Sequence, residues 1–292
     1  MRYVIFLTVF FLCFAASAQD EVLHEAERYI AARKYSSAEK ILQESLKVYS
    51  SPELKDKLGE AYSFQEKWDQ AIDVYEELTD IHPKNAEYQF KYGGVLARKA
   101  QNSNKLKALM LIGKIKNGFM KAAELDPKHI EARWGLVDLY VSLPGIVGGS
   151  TSKAFKYAKE LKSISAIEGY LALGYVYEYD DEPQQAEENY MKALNYVDGL
   201  EEVTRNQLNY QIGKICGDYG RYLDRGIKHM DTYINNYTVK DGVPIDWAYY
   251  RMARLYRHKE NKREANVWIK KALAKRPDFK QALEEQTRIK AL

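Results

Sequence analysis

Residues 58–83 read LGEAYSFQEKWDQAIDVYEELTDIHP, and this stretch indicates the fold. Small side chains occur at Gly59 and Ala71, and large ones at Tyr62 and Tyr75. Small residues let two helices approach closely, while large residues fill the space around the contact. Pro83 cannot continue a helix, so it marks the end of the second one. The stretch therefore predicts two antiparallel helices packed as a pair.

The same spacing recurs twice further along the chain. A fixed period of this kind is the signature of a repeat architecture. The repeated unit resembles the tetratricopeptide repeat, a helix pair of about 34 residues with small residues at set positions. The recurring positions are Leu173, Gly174, Tyr177, Ala186 and Tyr190, and then Met252, Ala253, Tyr256, Ala265, Ile269 and Pro277.

The resemblance implies an all-α protein, a right-handed α-α superhelical solenoid of about seven helix pairs. Weaker matches to the same template fill the stretches between the clear ones. A polar segment at residues 280–292 follows the last pair and is expected to be the capping helix that solenoids need. The predicted repeats are residues 19–51, 52–85, 86–129, 130–165, 166–199, 205–240 and 246–279.

Two of the predicted repeats are longer than the template. The third has about ten extra residues, which either form an insertion around residues 101–107 or lengthen both helices. The fourth has an enlarged turn at residues 143–150, with the sequence LPGIVGGS. We take Pro144, Gly145, Gly148 and Gly149 as a candidate contact loop.

The glycine-rich turn at residues 143–150 is not expected to bind phosphate. Helix N-termini attract anions, but no strand precedes this turn and it lacks the spacing of nucleotide-binding loops. We predict a compact turn with glycine at positive φ, and Ser150, Thr151 or Ser152 as the cap of the next helix. The turn is similar to the PGIxGG loop of certain bacterial secreted repeat proteins, a similarity that implies no activity.

The N-terminal eighteen residues have the pattern of a secretory signal peptide. Arg2 precedes an apolar run from Val4 to Phe14, and Ala16-Ser17-Ala18 forms a small-residue cleavage site. The run is short for a membrane span, so we predict an exported protein without a transmembrane segment after cleavage, rather than a retained anchor helix. The signal is similar to those of Gram-negative bacteria, which suggests a periplasmic or envelope-associated location.

Composition and motifs argue against several functions. The net charge is +3, from 44 basic and 41 acidic residues, so there is no global basic field for nucleic acid or an anionic membrane. The five histidines have no metal-ligand spacing, and no nucleophile motif is present. Cys216 occupies an apolar helix position and is expected to be packed rather than reactive. We therefore predict no enzyme activity, catalytic residue, metal or cofactor.

In the family that this chain resembles, the first helices of the repeats line a concave groove. Aromatic residues recur at the corresponding positions here, and an aromatic, partly polar groove suits an extended peptide. The other interpretation is that individual rings belong to the core between repeats. The candidate groove residues are Phe64, Phe90, Trp134, Tyr175, Tyr179, Tyr210, Trp247 and Tyr250, together with Arg254 from the basic last repeat.

These patterns leave two function classes. The first is an exported scaffold or adaptor that binds a protein or peptide partner in its groove. The second is a binding component of an envelope transport system, in which the stacked aromatic residues hold a small molecule or glycan. The identity of the partner and the oligomeric state stay open.

Overall fold

The computed structural model describes residues 19–197, 205–238 and 240–292. Over these residues the chain forms fifteen α-helices, a short 3-10 helix at Gly145–Val147, and no strand. The prediction of an all-α chain built from tetratricopeptide-like helix pairs with a final capping helix is confirmed. The predicted signal peptide at residues 1–18 lies outside the described residues.

The chain divides into two compact units, with the boundary between Leu139 and Tyr140. In unit 1, each helix packs on the next from α2 to α6. In unit 2, successive helices also pack on one another from α8 to α15, and α13 contacts both α11 and α15. Helix α7 crosses the boundary. The helices are α1 (residues 19–31), α2 (Tyr35–Leu46), α3 (Pro52–Phe64), α4 (Trp68–Ile81), α5 (Ala86–Gln101), α6 (Lys105–Leu125), α7 (Ile130–Ser142), α8 (Thr151–Ile164), α9 (Ala166–Tyr179), α10 (Pro183–Leu194), α11 (Asn206–Tyr219), α12 (Leu223–Asn236), α13 (Ile245–His258), α14 (Lys262–Lys275) and α15 (Lys280–Lys290).

The small residues of the repeat pattern lie where the two helices of a pair touch. A Cβ atom on Gly59 would lie 2.7 Å from the Tyr75 ring, and one on Gly174 would lie 2.5 Å from the Tyr190 ring. Both tyrosines are buried. The aromatic ring of the second helix therefore occupies the space that the glycine of the first helix leaves free. This contact is the physical reason for the spacing seen in the sequence.

The extra residues of the third repeat lengthen both of its helices. Helix α5 has 16 residues and α6 has 21, and only three residues connect them. Of the two alternatives left open by the sequence, lengthened helices are therefore correct. The fully buried residues of α6 begin at Ile115, whereas Ala108, Leu111 and Ile112 in its N-terminal half are only partly buried.

The turns inside most helix pairs share a backbone conformation that the sequence did not indicate. Arg33, Glu66, Asp181 and Glu260 each occupy the middle of a three-residue connection and have φ between 57° and 58°. This left-handed conformation costs a residue with a Cβ atom about 1 kcal/mol. The helix pair needs this reversal, because the second helix must fold back on the first.

Replacing Glu66 with glycine is expected to stabilise the protein by about 1 kcal/mol, because glycine adopts positive φ without strain. Glu44 is exposed within α2 and provides the matched control. Glycine there should destabilise by a similar amount, because it weakens the helix. Urea unfolding followed by circular dichroism measures both changes. A loss of stability in Glu66→Gly would contradict the expectation.

The loop at residues 143–150 is a compact turn, as predicted. Residues Gly145–Val147 form the 3-10 helix, and Gly148 follows with φ of 103°. The Ser150 hydroxyl caps α8 by accepting a hydrogen bond from the backbone N–H of Lys153. A Cβ atom on Gly149 would lie 1.7 Å from the carbonyl oxygen of Leu143, whereas one on Gly145 would meet nothing within 4 Å. Gly149 is thus required by a close backbone contact.

These contacts predict different effects for two glycines of the same loop. Gly149→Ala is expected to lower the melting temperature by several degrees, because the loop backbone must move to relieve the clash. Gly145→Ala should leave it unchanged. Differential scanning calorimetry of the two variants tests the difference. Equal melting temperatures would show that the loop tolerates a side chain at both positions.

His129 is a buried histidine at the turn before α7. Its Nε2 lies 3.6 Å from a carboxylate oxygen of Glu87, and its Nδ1 lies 3.4 Å from one of Glu131. Burial favours the neutral ring and would lower its pKa, but the two carboxylates outweigh this and raise the pKa from 6.5 to about 9. The carboxylates of Glu87 and Glu131 therefore favour the charged form of the ring at neutral pH.

The raised pKa of His129 predicts a dependence of stability on pH. The stabilisation is complete below pH 6.5 and is lost as the pH rises through about 9, where the folded protein releases the proton. About 1–2 kcal/mol is expected, since both carboxylates are partly exposed to solvent. Urea unfolding at several pH values should show this loss in the parent and a smaller loss in His129→Gln. Parallel curves for the two proteins would contradict the prediction.

Candidate functional site

The candidate site is a cavity of about 450 Å³ within unit 2. Helices α9, α10, α11, α13 and α15 all contribute to its walls. Its size falls within the range of pockets that bind ligands or side chains of a partner. The lining residues are Glu178, Tyr190, Lys214, Asp218, Tyr219, Trp247, Tyr250, Arg251, Arg254 and Gln281.

Charges of alternating sign cross the cavity from α9 to α13. The Lys214 ammonium lies 2.9 Å from the Glu178 carboxylate and 3.7 Å from the Asp218 carboxylate. Asp218 in turn pairs with Arg254 at 2.9 Å, and also with Arg251. Each ion is held by a neighbour on its own helix or on the first helix of the adjacent repeat. This ion ladder fixes the side chains in place before any partner arrives, which reduces the entropy lost on binding.

Tyr190 and Glu178 form the α9–α10 end of the ion ladder. The Tyr190 hydroxyl donates a hydrogen bond of 2.7 Å to Glu178. Burial would raise the pKa of Glu178, but Lys214 and the Tyr190 hydroxyl hold it below its usual range. Burial, and the charges of Glu178 and Glu187, raise the pKa of Tyr219 to about 12. Neither group is poised to exchange a proton near pH 7, which favours binding over acid–base chemistry at these positions.

Aromatic rings form the α13 wall of the cavity. The half-buried Trp247 meets Tyr250 edge-on, with 5.9 Å between the ring centroids, and meets Phe279 at 4.6 Å. The Arg251 guanidinium lies 5.0 Å from the Tyr250 ring centroid and 5.8 Å from that of Trp247. Cation–π contacts of this kind orient a guanidinium without using its N–H donors.

Two donors at the cavity have no acceptor. The Nε atoms of Arg251 and Arg254 are buried and have no hydrogen-bond partner among the described residues. Buried polar groups are almost always hydrogen-bonded, so an exception calls for an explanation. Both atoms are closed off from solvent, so a partner bound in the cavity would not reach them directly.

Three of the predicted groove residues come together at this cavity, namely Trp247, Tyr250 and Arg254. In the same unit, Tyr210 is buried against the Tyr233 ring at 5.2 Å and does not line the cavity. Tyr175 and Tyr179 form an edge-on pair on α9 at 5.0 Å, and 57% of Tyr179 is exposed.

The predicted groove residues of unit 1 pack mainly against other side chains. Phe64 stacks on Tyr35 at 4.8 Å. Phe90 contacts the rings of Phe119 and His129. Trp134 is buried. None of these side chains lines the cavity in unit 2, and neither do the loop residues Pro144, Gly145, Gly148 and Gly149.

Several cavity residues were absent from the predicted site. Glu178, Lys214 and Asp218 occupy groove positions of the repeat template, so the template contained the signal, but the choice of aromatic residues passed over them. Tyr190 lies on a second helix of a pair, and Gln281 lies on the capping helix. No pattern in the sequence places those two residues at the groove.

The described part of the chain offers no other chemical centre. It contains no group of three side chains able to hold a metal ion. Cys216 is buried, and burial raises the pKa of its thiol to about 12, which makes it unreactive. None of the described helices has both the length and the apolar character required to span a bilayer.

The stacked helix pairs and the cavity between them define a helical repeat protein. Two segments, residues 53–87 and 167–196, match sequence models of the tetratricopeptide repeat. A tetratricopeptide repeat protein from Parabacteroides merdae has a similar structure, with a TM-score of 0.56 and 14% identity over 92% of this chain and 98% of that one.

A second solved structure has the same fold over a shorter stretch. It is a thermophilic tetratricopeptide repeat protein of Thermus thermophilus, with a TM-score of 0.51 and 14% identity over 67% of this chain and 97% of that one. No curated protein matches the sequence. The fold is therefore that of tetratricopeptide repeat proteins.

Proposed function

We propose that the protein is an exported scaffold that binds a peptide segment of a partner protein in the cavity of unit 2. The observation that carries the proposal is the cavity itself, which joins the half-buried Trp247 ring to the guanidinium of Arg254. An acidic side chain of the bound segment would pair with the Arg254 guanidinium, which is 23% exposed, and charge-assisted hydrogen bonds are the strongest of their type.

The walls of the cavity support a polypeptide ligand. The half-buried Trp247 provides an aromatic anchor, a type of side chain that often dominates the energy of peptide binding, and the buried Tyr250 supports it from the core. The ion ladder of Glu178, Lys214 and Asp218 offers donors and acceptors on the opposite side of the cavity, which suits the peptide backbone. The Lys214 and Asp218 charges are already paired, so a neutral backbone can approach without leaving them uncompensated.

The proposed location follows from residues 1–18. Their signal-peptide pattern supports export to the periplasm or cell envelope of a Gram-negative bacterium. Sequencing the N-terminus of the protein recovered from its native cells tests this step, with Gln19 as the expected first residue. A protein that retains Met1 and fractionates with the cytoplasm would contradict export, without affecting the cavity.

Affinity capture from an envelope extract tests binding, with two variants of the cavity and one control. Trp247→Ala and Arg254→Gln are expected to recover at least tenfold less of the partner protein. Arg263→Gln removes the same charge from a side chain that is 88% exposed and does not line the cavity, so it should capture as the parent does. Equal recovery by Arg254→Gln and Arg263→Gln would show that the cavity is not the binding site.

The same experiment separates the peptide proposal from binding of a small molecule or glycan. Native mass spectrometry of the captured protein is expected to show a polypeptide partner. A small bound mass that disappears in Trp247→Ala would contradict the peptide proposal and support the transport alternative.

A further inference from the structure

Basic residues are concentrated in one part of unit 1. Residues 88–123 contain eight lysine or arginine residues and no aspartate or glutamate, although the whole chain has a net charge of only +3. The remainder of the chain is therefore net acidic. This segment includes nearly all of α5 and α6, the two helices that are longer than the repeat requires.

Apolar side chains are exposed on one face of the N-terminal half of α6. Leu106 is 72% exposed, Met110 is 77% exposed and Leu109 is 45% exposed. These residues and Gly113 recur at spacings of three and four, so they share one face of the helix. A Cβ atom on Gly113 would meet nothing within 4 Å, so this face is open along its length.

Lysines border the apolar face on both sides. At 3.6 residues per turn, Lys107, Lys114 and Lys121 follow one edge, and Lys105 and Lys116 follow the other. Lys114 pairs with Glu76 at 3.0 Å. Lys105, Lys107, Lys116 and Lys121 have no carboxylate within 4 Å among the described residues. We refer to Leu106, Leu109, Met110 and these five lysines as the basic apolar face.

We propose that the basic apolar face of α6 binds an anionic lipid surface, with the helix lying parallel to the membrane. Leucine and methionine side chains would enter the region between headgroups and acyl chains, while the bordering lysines contact lipid phosphates. A row of apolar residues between two rows of lysine is the arrangement expected of an interfacial helix. The binding is independent of the cavity, which lies in unit 2.

A lipid surface fits this face better than a protein partner does. Lysine is depleted at protein interfaces, because burying its ammonium group there costs hydration. At a membrane the flexible lysine stems keep their charged ends at the headgroup level while the stems cover apolar surface. Three apolar side chains supply modest hydrophobic energy, so both the apolar and the electrostatic contributions are needed, and the binding is reversible.

Vesicle sedimentation tests the proposal on protein that begins at residue 19. The full chain is first folded with a protease site inserted after Ala18. Cleavage at that site then removes residues 1–18, and circular dichroism verifies that the remaining protein is folded. Vesicles containing phosphatidylglycerol are compared with phosphatidylcholine alone. We expect binding to the anionic vesicles only, and at least a tenfold weakening as salt is raised, because surface charges are screened.

Two variants separate the contributions of the apolar and the basic residues. Leu106→Ser with Met110→Ser is expected to weaken binding at least tenfold. Replacing Lys105, Lys107, Lys116 and Lys121 with glutamine should abolish the preference for anionic vesicles. The control is Val48→Ser with Ile81→Ser, which removes side chains of 75% and 59% exposure elsewhere in unit 1 and should not change binding.

Three results would overturn the lipid proposal. The first is no sedimentation with anionic vesicles. The second is equal binding by the Leu106→Ser, Met110→Ser variant and its control. The third is an acidic protein, rather than lipid, that is captured by the parent and lost in the lysine variant.

Discussion

Alanine in place of Gly169 is expected to lower the free energy of unfolding by about 3 kcal/mol. The added Cβ atom would lie 2.1 Å from the Cα atom of Lys162 and 2.4 Å from its backbone nitrogen. These are backbone atoms, so no change of rotamer relieves the clash. Helix α8 ends at Ile164 and α9 begins at Ala166, so Ser165 alone connects them and the helices cannot easily slide apart.

Urea unfolding followed by circular dichroism at 222 nm, the usual helical band, measures this effect, and Gly94→Ala is the control. Gly94 is also helical, but a Cβ atom there would meet nothing within 4 Å. Alanine is a better helix former than glycine, so the control should be more stable than the parent by up to about 1 kcal/mol. If Gly169→Ala is stabilised as the control is, the close crossing of α8 and α9 does not exist.

Glutamine in place of Glu168 is expected to cost about 3–5 kcal/mol of stability. Glu168 on α9 accepts two hydrogen bonds from the Arg205 guanidinium, at 2.9 Å and 2.7 Å. The side chains of Glu168 and Arg205 are only 5% and 10% exposed. Removing the carboxylate takes away the acceptor of both hydrogen bonds while the arginine charge stays buried, and breaking one side of a buried ion pair is costly.

The Glu168 prediction has an internal control and a double variant. Glu188→Gln breaks an exposed pair with Lys192 on α10 and should leave the unfolding curve unchanged. Glu168→Leu combined with Arg205→Leu removes both buried charges, so it should lose less stability than Glu168→Gln alone. If the double variant is less stable than Glu168→Gln, the expected order of stabilities is wrong. The attraction within the ion pair would then exceed the cost of removing both charges from water.

The candidate site was predictable to the extent that its residues lie on the first helices of the repeats. Trp247, Tyr250 and Arg254 were identified because α13 presents groove positions of the template. Lys214 and Asp218 occupy equivalent positions on α11, but only the structure shows that they form an ion ladder with α13. Residues distant in sequence also decide whether an aromatic ring is free to contact a ligand or is packed in the core. Tyr210, which is buried against Tyr233, is one example.

The net charge of the chain does not show how the charged residues are distributed over its surface. A net charge of +3 argues against a global basic field, and that inference holds for the protein as a whole. The basic apolar face depends instead on which lysines of α6 share an exposed side. Only the structure shows which side of α6 faces the core of unit 1. Ile115 and Phe119 are buried there, and exposed lysines lie on the other side.

The sequence alone determined that helices pair, because each pair needs a small residue of the first helix, such as Gly59, opposite a large residue of the second, such as Tyr75. That requirement is local, so it recurs at a fixed period and can be recognised without a structure. The tertiary structure decided the form that departures from the period take: the extra residues of the third repeat lengthen its helices, α8 and α9 cross tightly at Gly169, and Glu168 pairs with Arg205 in a buried site. These features depend on contacts between residues far apart in sequence or on exact helix geometry, and no repeating pattern encodes them.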